Sequence, residues 1–252
     1  MAGKRNFLLA VPAYHESRRL PKFLPGLVEA VAREFRHAKV ILVDDGSGLA
    51  ERHALQPLLR RIRARHPKNF DVLFLPMNRG KGGAILAAWR SAAPNFEYLG
   101  FVDADGAFEP SEVIRLAKEL KKGGRGPAVF ASRVKMLGLK VDRKIVRHYL
   151  GRLFATWVGL FLEPGIYDSQ CGMKFVPANV FEQISPRLYG RRFAWDVELL
   201  GALLETGCPI REVPVSWRHI PGSRVRFLRD GLHLLWTAFR EGRRLRQSRR
   251  RA

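Results

Sequence analysis

Three short apolar runs stop at residues able to do chemistry. The first ends in Pro12-Ala13-Tyr14-His15-Glu16, the second in Asp44-Asp45-Gly46-Ser47, and a later one in Asp103-Ala104-Asp105-Gly106. Residues i and i+2 of an extended segment project to the same side, so Asp103 and Asp105 present two carboxylates together. Two such oxygen ligands suit a hard divalent cation that completes its shell with water and phosphate oxygens. Asp45 stands where an acid accepts hydrogen bonds from a ribose in other nucleotide-binding α/β folds. The competing reading makes each acid the cap of the helix that follows it. Three acidic strand ends in one sheet weigh against it.

Other patterns fail in informative ways. No G-x-G-x-x-G follows the first run, so a glycine turn at a helix N-terminus is not what would hold a pyrophosphate. Arg79-Gly80-Lys81-Gly82-Gly83 looks like a P-loop but has Gly82 where Ser or Thr should follow the lysine. Its glycines permit a tight turn into a helix, and Lys81 becomes a candidate phosphate contact. Cys171 and Cys208 form no C-x-x-C pair, and the seven histidines show no ligand spacing. Cys171 reads as a small buried residue.

These groups need a frame. β-Branched and aromatic runs predict strands at 6–11, 39–43, 71–75, 98–102 and 128–131. Helical patterns fill 21–37, 51–65, 82–92 and 110–121 between them. That alternation predicts an α/β protein with a mostly parallel central sheet, helices on both faces, and ligands outside the carboxyl ends of the strands. Further on we expect a long helix at 143–162, an irregular stretch at 163–172, a helix near 195–206 and a strand near 210–217. Residues 1–223 read as one domain. Residues 224–252 read as a basic amphipathic helical extension.

The chain has 252 residues, 45 basic and 23 acidic, a formal charge of +22. Its composition is that of a globular protein large enough to need no disulfides. The charge calls for an anionic partner: lipid, nucleic acid or a phosphorylated substrate. Between Arg224 and Ala252 ten arginines and two acids accompany Phe227, Leu228, Leu232, Leu235, Trp236 and Phe239 near helical spacing. Arginines beside Trp, Phe and Leu match a helix lying in an anionic membrane interface. Residues 1–5 lead into a short apolar run without a signal-peptide pattern, and the longest nearly apolar run, 153–162, is about half a membrane span. We therefore expect a chain peripheral to the cytoplasmic face of a membrane. A nucleic-acid-binding protein is the alternative that charge alone suggests, and acidic strand ends oppose it.

The ordered set of motifs resembles family 2 glycosyltransferases of the GT-A (Rossmann-like) fold. It comprises Val11–Glu16, Val43–Ser47, Asn78–Gly82 and Asp103–Asp105, then Ala131-Ser132-Arg133, Asp168–Phe175, Phe193–Leu200 and Gly222-Ser223-Arg224. The second half is similar to the dolichyl-phosphate β-glucosyltransferase branch, with polyprenyl-phosphate mannose synthases as neighbours. The resemblance implies that Pro12, Tyr14, Glu16, Val43 and Asp45 hold the base and ribose of a nucleotide-sugar. It implies that Asp103, Ala104 and Asp105 bind its ribose–pyrophosphate region with Mg²⁺ or Mn²⁺, and that Arg133 and Arg224 contact phosphates. Gln170 and Lys174 would then face an acceptor phosphate. Ala107 stands where some mannose synthases have a further polar metal ligand, implying an ion bound more weakly or with more water. Asp196 and Asp105 are the catalytic candidates, Asp105 through the metal and Asp196 as a general base for a sugar hydroxyl or an orienting group for a polyprenyl phosphate, which is already an anion. The implied activity is inverting transfer of a hexose, glucose from UDP-glucose first. The alternatives are GDP-mannose or UDP-GlcNAc as donor, or a saccharide acceptor.

Overall fold

The computed structural model describes residues 6–121, 123, 126–134, 136, 138, 141, 156–162, 165–189, 194–220 and 227–250. Seven strands form its sheet: β1 (Phe7–Ala13), β2 (Lys39–Asp44), β3 (Phe70–Phe74), β4 (Tyr98–Val102), β5 (Ala128–Ser132), β6 (Met173–Pro177) and β7 (Ile210–Pro214). Their order is β3-β2-β1-β4-β6-β5-β7. Only β6 runs against the rest, antiparallel to both β4 and β5. The chain builds β1 to β3 outward and then returns to place β4 on the other side of β1. That reversal opens a crevice at the carboxyl ends of β1 and β4.

Alternating strand residues feed two cores. Phe7, Leu9 and Val11 face the layer of α1 (Leu20–Glu34), α2 (Leu49–Arg65) and α4 (Pro110–Lys118). Leu8 and Ala10 face α3 (Gly80–Ala92), α6 (Ala178–Ile184) and α7 (Trp195–Glu205). The helices follow their apolar spacing. In α1, Leu20, Phe23, Leu24, Leu27, Val28 and Val31 recur on one face and are buried, and Pro21 sits in the first turn, where its missing N–H costs nothing. Helix α5 is described over 156–162, so the predicted start of that helix, with Phe154, lies outside the described residues. Helix α8 (Phe227–Arg249) packs along α7 and places Leu234, Ala238 and Leu245 in the second core. Among the described residues, no helix is long and apolar enough to cross a membrane.

Strand β6 and helix α6 depart from the expected element order. Residues 173–177 read Met-Lys-Phe-Val-Pro, where a lysine and a terminal proline disguise a strand. All five are buried, Lys174 completely. Gly100 of β4 makes the adjacent packing possible, because a Cβ there would lie 2.3 Å from Cδ1 of Phe175. That ring stands edge-on to Phe7, with centroids 5.3 Å apart. Gly100→Ala is expected to destabilise the protein by about 1–3 kcal/mol through overpacking, read as a lowered midpoint in urea unfolding.

Candidate active site

The ends of β1, β2 and β4 meet as the motifs require. The Asp45 N–H donates to the Ala13 carbonyl (2.8 Å), tying β2 to β1. Ser47 Oγ accepts from the His15 N–H at 2.9 Å. His15 has φ of +52°, the only positive value at a non-glycine position among the described residues. Gly46, with φ of +71°, lets this turn press on the next one; a Cβ would lie 2.5 Å from the Met77 carbonyl carbon. The contact delivers the Asp45 carboxylate to the start of α3, where Oδ1 accepts the Arg79 N–H at 2.7 Å. Asp45 therefore does act as a cap, but of α3 rather than of the helix following it in sequence. Burial pushes its carboxyl up to about 6, with the Arg79 and Gly80 N–H groups pulling the other way.

Capping brings Lys81 across the crevice. Its Nζ lies 2.9 Å from Asp103 Oδ1 and 3.6 Å from Asp196 Oδ2, above the Phe101 ring. Asp196, in the first turn of α7, gives its other oxygen to Lys174 Nζ at 2.5 Å. Lys174 also donates to the Cys171 carbonyl at 2.7 Å. A continuous series Asp103–Lys81–Asp196–Lys174 results. Burial opposes the charge on Lys81, yet Asp103 and then Asp196 hold its ammonium above the ordinary lysine range.

Asp103 and Asp105 remain half-exposed, so the pair opens to solvent. Asp103 has a cradle: a Cβ on Gly172 would fall 2.0 Å from Oδ2, so only glycine leaves room for that carboxylate. Asp105 Oδ1 accepts the Ala107 N–H at 2.9 Å. Burial, then the charge of Asp103, pushes the Asp105 carboxyl above the carboxylate range, with Arg19 and Lys81 opposing. Two neighbouring carboxylates open to solvent, one in a fitted cradle, are a donor set suited to a divalent cation. Among the described residues, no three His, Cys, Asp or Glu side chains gather as a ligand set, so a cation here would draw its other ligands from substrate and water.

The other expected residues divide. Tyr14 is exposed and Pro12 half-buried at the crevice edge, while Gln170 is half-buried in the turn preceding β6. Ala104 is buried between the two acids. Glu16 is held by Arg19, through Nε at 2.5 Å and through Nη2. Arg133 makes a two-point pair with Asp168, at 2.7 and 2.8 Å, and lies over Trp217. Burial opposes the charge on Arg133, but Asp168 more than offsets it and holds the guanidinium above its ordinary value. The Val43 side chain is fully buried in the second core, so any part it takes in donor binding falls to its backbone. One expectation needs correction. Lys174 is fully buried on Asp196 and Cys171, so it does not face an acceptor phosphate. Arg224 lies outside the described residues.

Sequence reasoning assigned no role to Arg19, Asp168 or Glu212. The Glu212 carboxylate accepts the N–H groups of Tyr167 (2.6 Å) and Asp168 (2.8 Å), fixing the turn that holds Arg133. Asp168 lay within a quoted motif. Glu212 carried no signal, because its function depends on β7 lying beside β5.

The strand order, the single reversed strand and the open acid pair after β4 define a GT-A glycosyltransferase fold. Crystal structures share it. Glucosyl-3-phosphoglycerate synthase from Mycobacterium tuberculosis, in complex with Mn²⁺ and UDP-glucose, matches with a TM-score of 0.63 at 16% identity, covering 93% of this chain and 79% of that one. The mannosyltransferase PcManGT from Pyrobaculum calidifontis, with GDP-Man and Mn²⁺, matches with a TM-score of 0.60 at 14% identity, covering 96% and 74%. The family model described as "Glycosyl transferase family 2" matches residues 9–184, and this chain belongs to that family. It is a glycosyltransferase. A dolichyl-phosphate beta-glucosyltransferase of Dictyostelium discoideum is 32% identical over 226 residues, 85% of this chain and 67% of that protein. One of Mus musculus is 31% identical over 227 residues, 86% and 68%.

The raised Asp45 value has a sign. An acid that ionises at about 6 when folded contributes stability below the unfolded value near 4, and that contribution is lost as pH rises through 6. Asn at position 45 keeps an acceptor for the Arg79 N–H without the buried charge. The stability of Asp45→Asn relative to wild type is expected to rise by roughly 1–3 kcal/mol between pH 4 and pH 7, measured by urea unfolding across that range.

Proposed function

We propose that this glycosyltransferase moves glucose from UDP-glucose onto a polyprenyl phosphate, by inverting single displacement, at an anionic membrane surface. The observation that carries the reading is the state of Asp196. Both its oxygens are engaged by ammonium groups, Lys174 on Oδ1 and Lys81 on Oδ2, and the side chain is 4% exposed. A sugar hydroxyl would need a base in the crevice, and Asp196 is committed elsewhere. A lipid phosphate is already an anion and attacks without one. Relatives about a third identical across most of the chain carry the name dolichyl-phosphate beta-glucosyltransferase, which supports glucose over mannose or N-acetylglucosamine.

Donor binding falls to the crevice. Tyr14 and Pro12 flank it, Asp45 shapes its floor, and Asp103 and Asp105 would hold Mg²⁺ or Mn²⁺. A cation held there supplies Lewis-acid neutralisation of the charge that develops on the leaving diphosphate. Arg133, aimed by Asp168, adds a guanidinium that acts electrostatically on Asp103. Asp196 works as a positioning residue: pinned by Lys174, it sets Lys81 beside Asp103.

The lipid acceptor needs a surface to approach along. Trp236 is 58% and Phe239 45% exposed on α8, beside Arg240, Arg243 and Arg244. Phe239 meets Phe161 of α5 edge-on at 5.7 Å, and Trp157 and Leu160 of that helix are also exposed. Aromatic and aliphatic side chains ringed by arginines fit the headgroup layer of an anionic membrane, here its cytoplasmic face.

Two outcomes are expected. With labelled UDP-glucose, polyprenyl phosphate and Mn²⁺ or Mg²⁺, label becomes lipid-soluble, and Asp105→Ala lowers the rate by roughly two orders of magnitude or more. Label that stays water-soluble with every donor and cation offered counts against the reading. In sedimentation assays the protein binds phosphatidylserine-rich vesicles better than phosphatidylcholine ones. That binding weakens as salt rises from about 0.1 M to about 1 M, which shortens the Debye length from about 10 Å to about 3 Å. Trp236→Ala with Phe239→Ala weakens it further.

A further inference from the structure

Lys81 occupies the place that a cation would want. Its ammonium is 2.9 Å from Asp103 Oδ1, while Oδ2 of the same carboxylate lies in the glycine cradle of Gly172. Nor is Lys81 free to drift away. Asp196 holds it from behind at 3.6 Å, and Asp196 is itself anchored by Lys174. The Phe101 ring lies under both ammonium groups, at 4.9 and 5.3 Å. The lysine sits at the start of α3, whose preceding turn is fastened through Asp45 to β2.

We infer that Lys81 is a built-in counterion that keeps Asp103 and Asp105 from taking a divalent cation alone and makes cation binding wait for the donor diphosphate. The inference rests on the reading of that acid pair as the cation site. Charge balance is its physical basis. Lys81 already answers Asp103 and Asp196, and Lys174 answers Asp196. The neighbouring arginines are already matched, Arg133 by Asp168 and Arg19 by Glu16. A divalent cation on Asp103 would stand beside the Lys81 ammonium in a partly buried site, where like charges repel more strongly than in water. A diphosphate arriving with the cation brings negative charge that offsets this repulsion, and the ammonium can then serve phosphate oxygens as well as Asp103. Once the nucleoside diphosphate has left, Lys81 would again compete for Asp103 with any cation held there.

The test is Mn²⁺ binding, read from the electron paramagnetic resonance signal of the free ion, with and without UDP. Wild type is expected to bind Mn²⁺ weakly alone and more tightly with UDP. Lys81→Met should bind Mn²⁺ alone about tenfold tighter, and by thermodynamic reciprocity the enhancement given by UDP should shrink; couplings between ligands commonly span about 5- to 150-fold. Lys81→Arg keeps the charge and should behave like wild type. Asp103→Asn should abolish binding in either background. Thermal melting verifies that each variant is folded. A folded Lys81→Met protein with unchanged or weaker Mn²⁺ affinity, while wild type binds Mn²⁺ with UDP, overturns the inference and leaves the cation site standing. So does Lys81→Arg binding Mn²⁺ as tightly as Lys81→Met, since charge would then not be the cause. Wild type that binds no Mn²⁺ even with UDP removes the cation site itself, and the inference with it.

Discussion

The arrangement of this crevice depends on a line of alternating charges, Asp103, Lys81, Asp196 and Lys174, laid across the inner end of the sheet. Each member is contributed by a different element: the end of β4, the start of α3, the start of α7 and the middle of β6. None of the three buried or nearly buried members could sit there unpaired, because removing one partner leaves a charge in low dielectric at a cost of several kcal/mol. The line therefore locks four elements into mutual register. It also leaves the outer acid, with Asp105, as the part of the cluster that meets solvent.

The reversed strand β6 gains its meaning from this constraint. An antiparallel strand inserted between β4 and β5 brings Lys174 directly opposite Phe101, and it brings the turn containing Cys171 and Gly172 against Asp103. A parallel strand there would have carried its preceding turn to the opposite edge of the sheet. Cys171 illustrates how enclosed the region is, since burial pushes its thiol up to about 12 and removes it as a nucleophile. The chemistry is left to carboxylates and cations. The family supplies the reaction class.

Comparison of sequence and structure separates two kinds of residue. Asp103, Asp105, Asp45 and Tyr14 follow directly after strands, and the ends of parallel strands converge on one crevice whatever the details of packing. Their grouping was legible from order alone. Lys174 was misread because it belongs to a motif whose neighbours face the crevice, while its own side chain faces inward. In an extended strand, adjacent residues point to opposite faces, and a motif match does not reveal which face is which. Glu212 was invisible for another reason. It works through backbone N–H groups of a segment 44 and 45 residues away in sequence, and such pairing leaves no local pattern.

Local periodicity determined by itself that β1 to β5 and α1 to α4 would form, that the sheet would be largely parallel, and that acids would gather at its carboxyl edge. These are consequences of side-chain alternation and helical spacing, which operate over a few residues. Tertiary structure decided the rest: that a lysine-bearing run would become the reversed strand inside the sheet, that Asp45 would cap a helix three elements on, and that Asp196 would spend both oxygens on ammonium groups. A buried charge is tolerated only when a partner from elsewhere in the chain reaches it, so its place is settled when the elements pack.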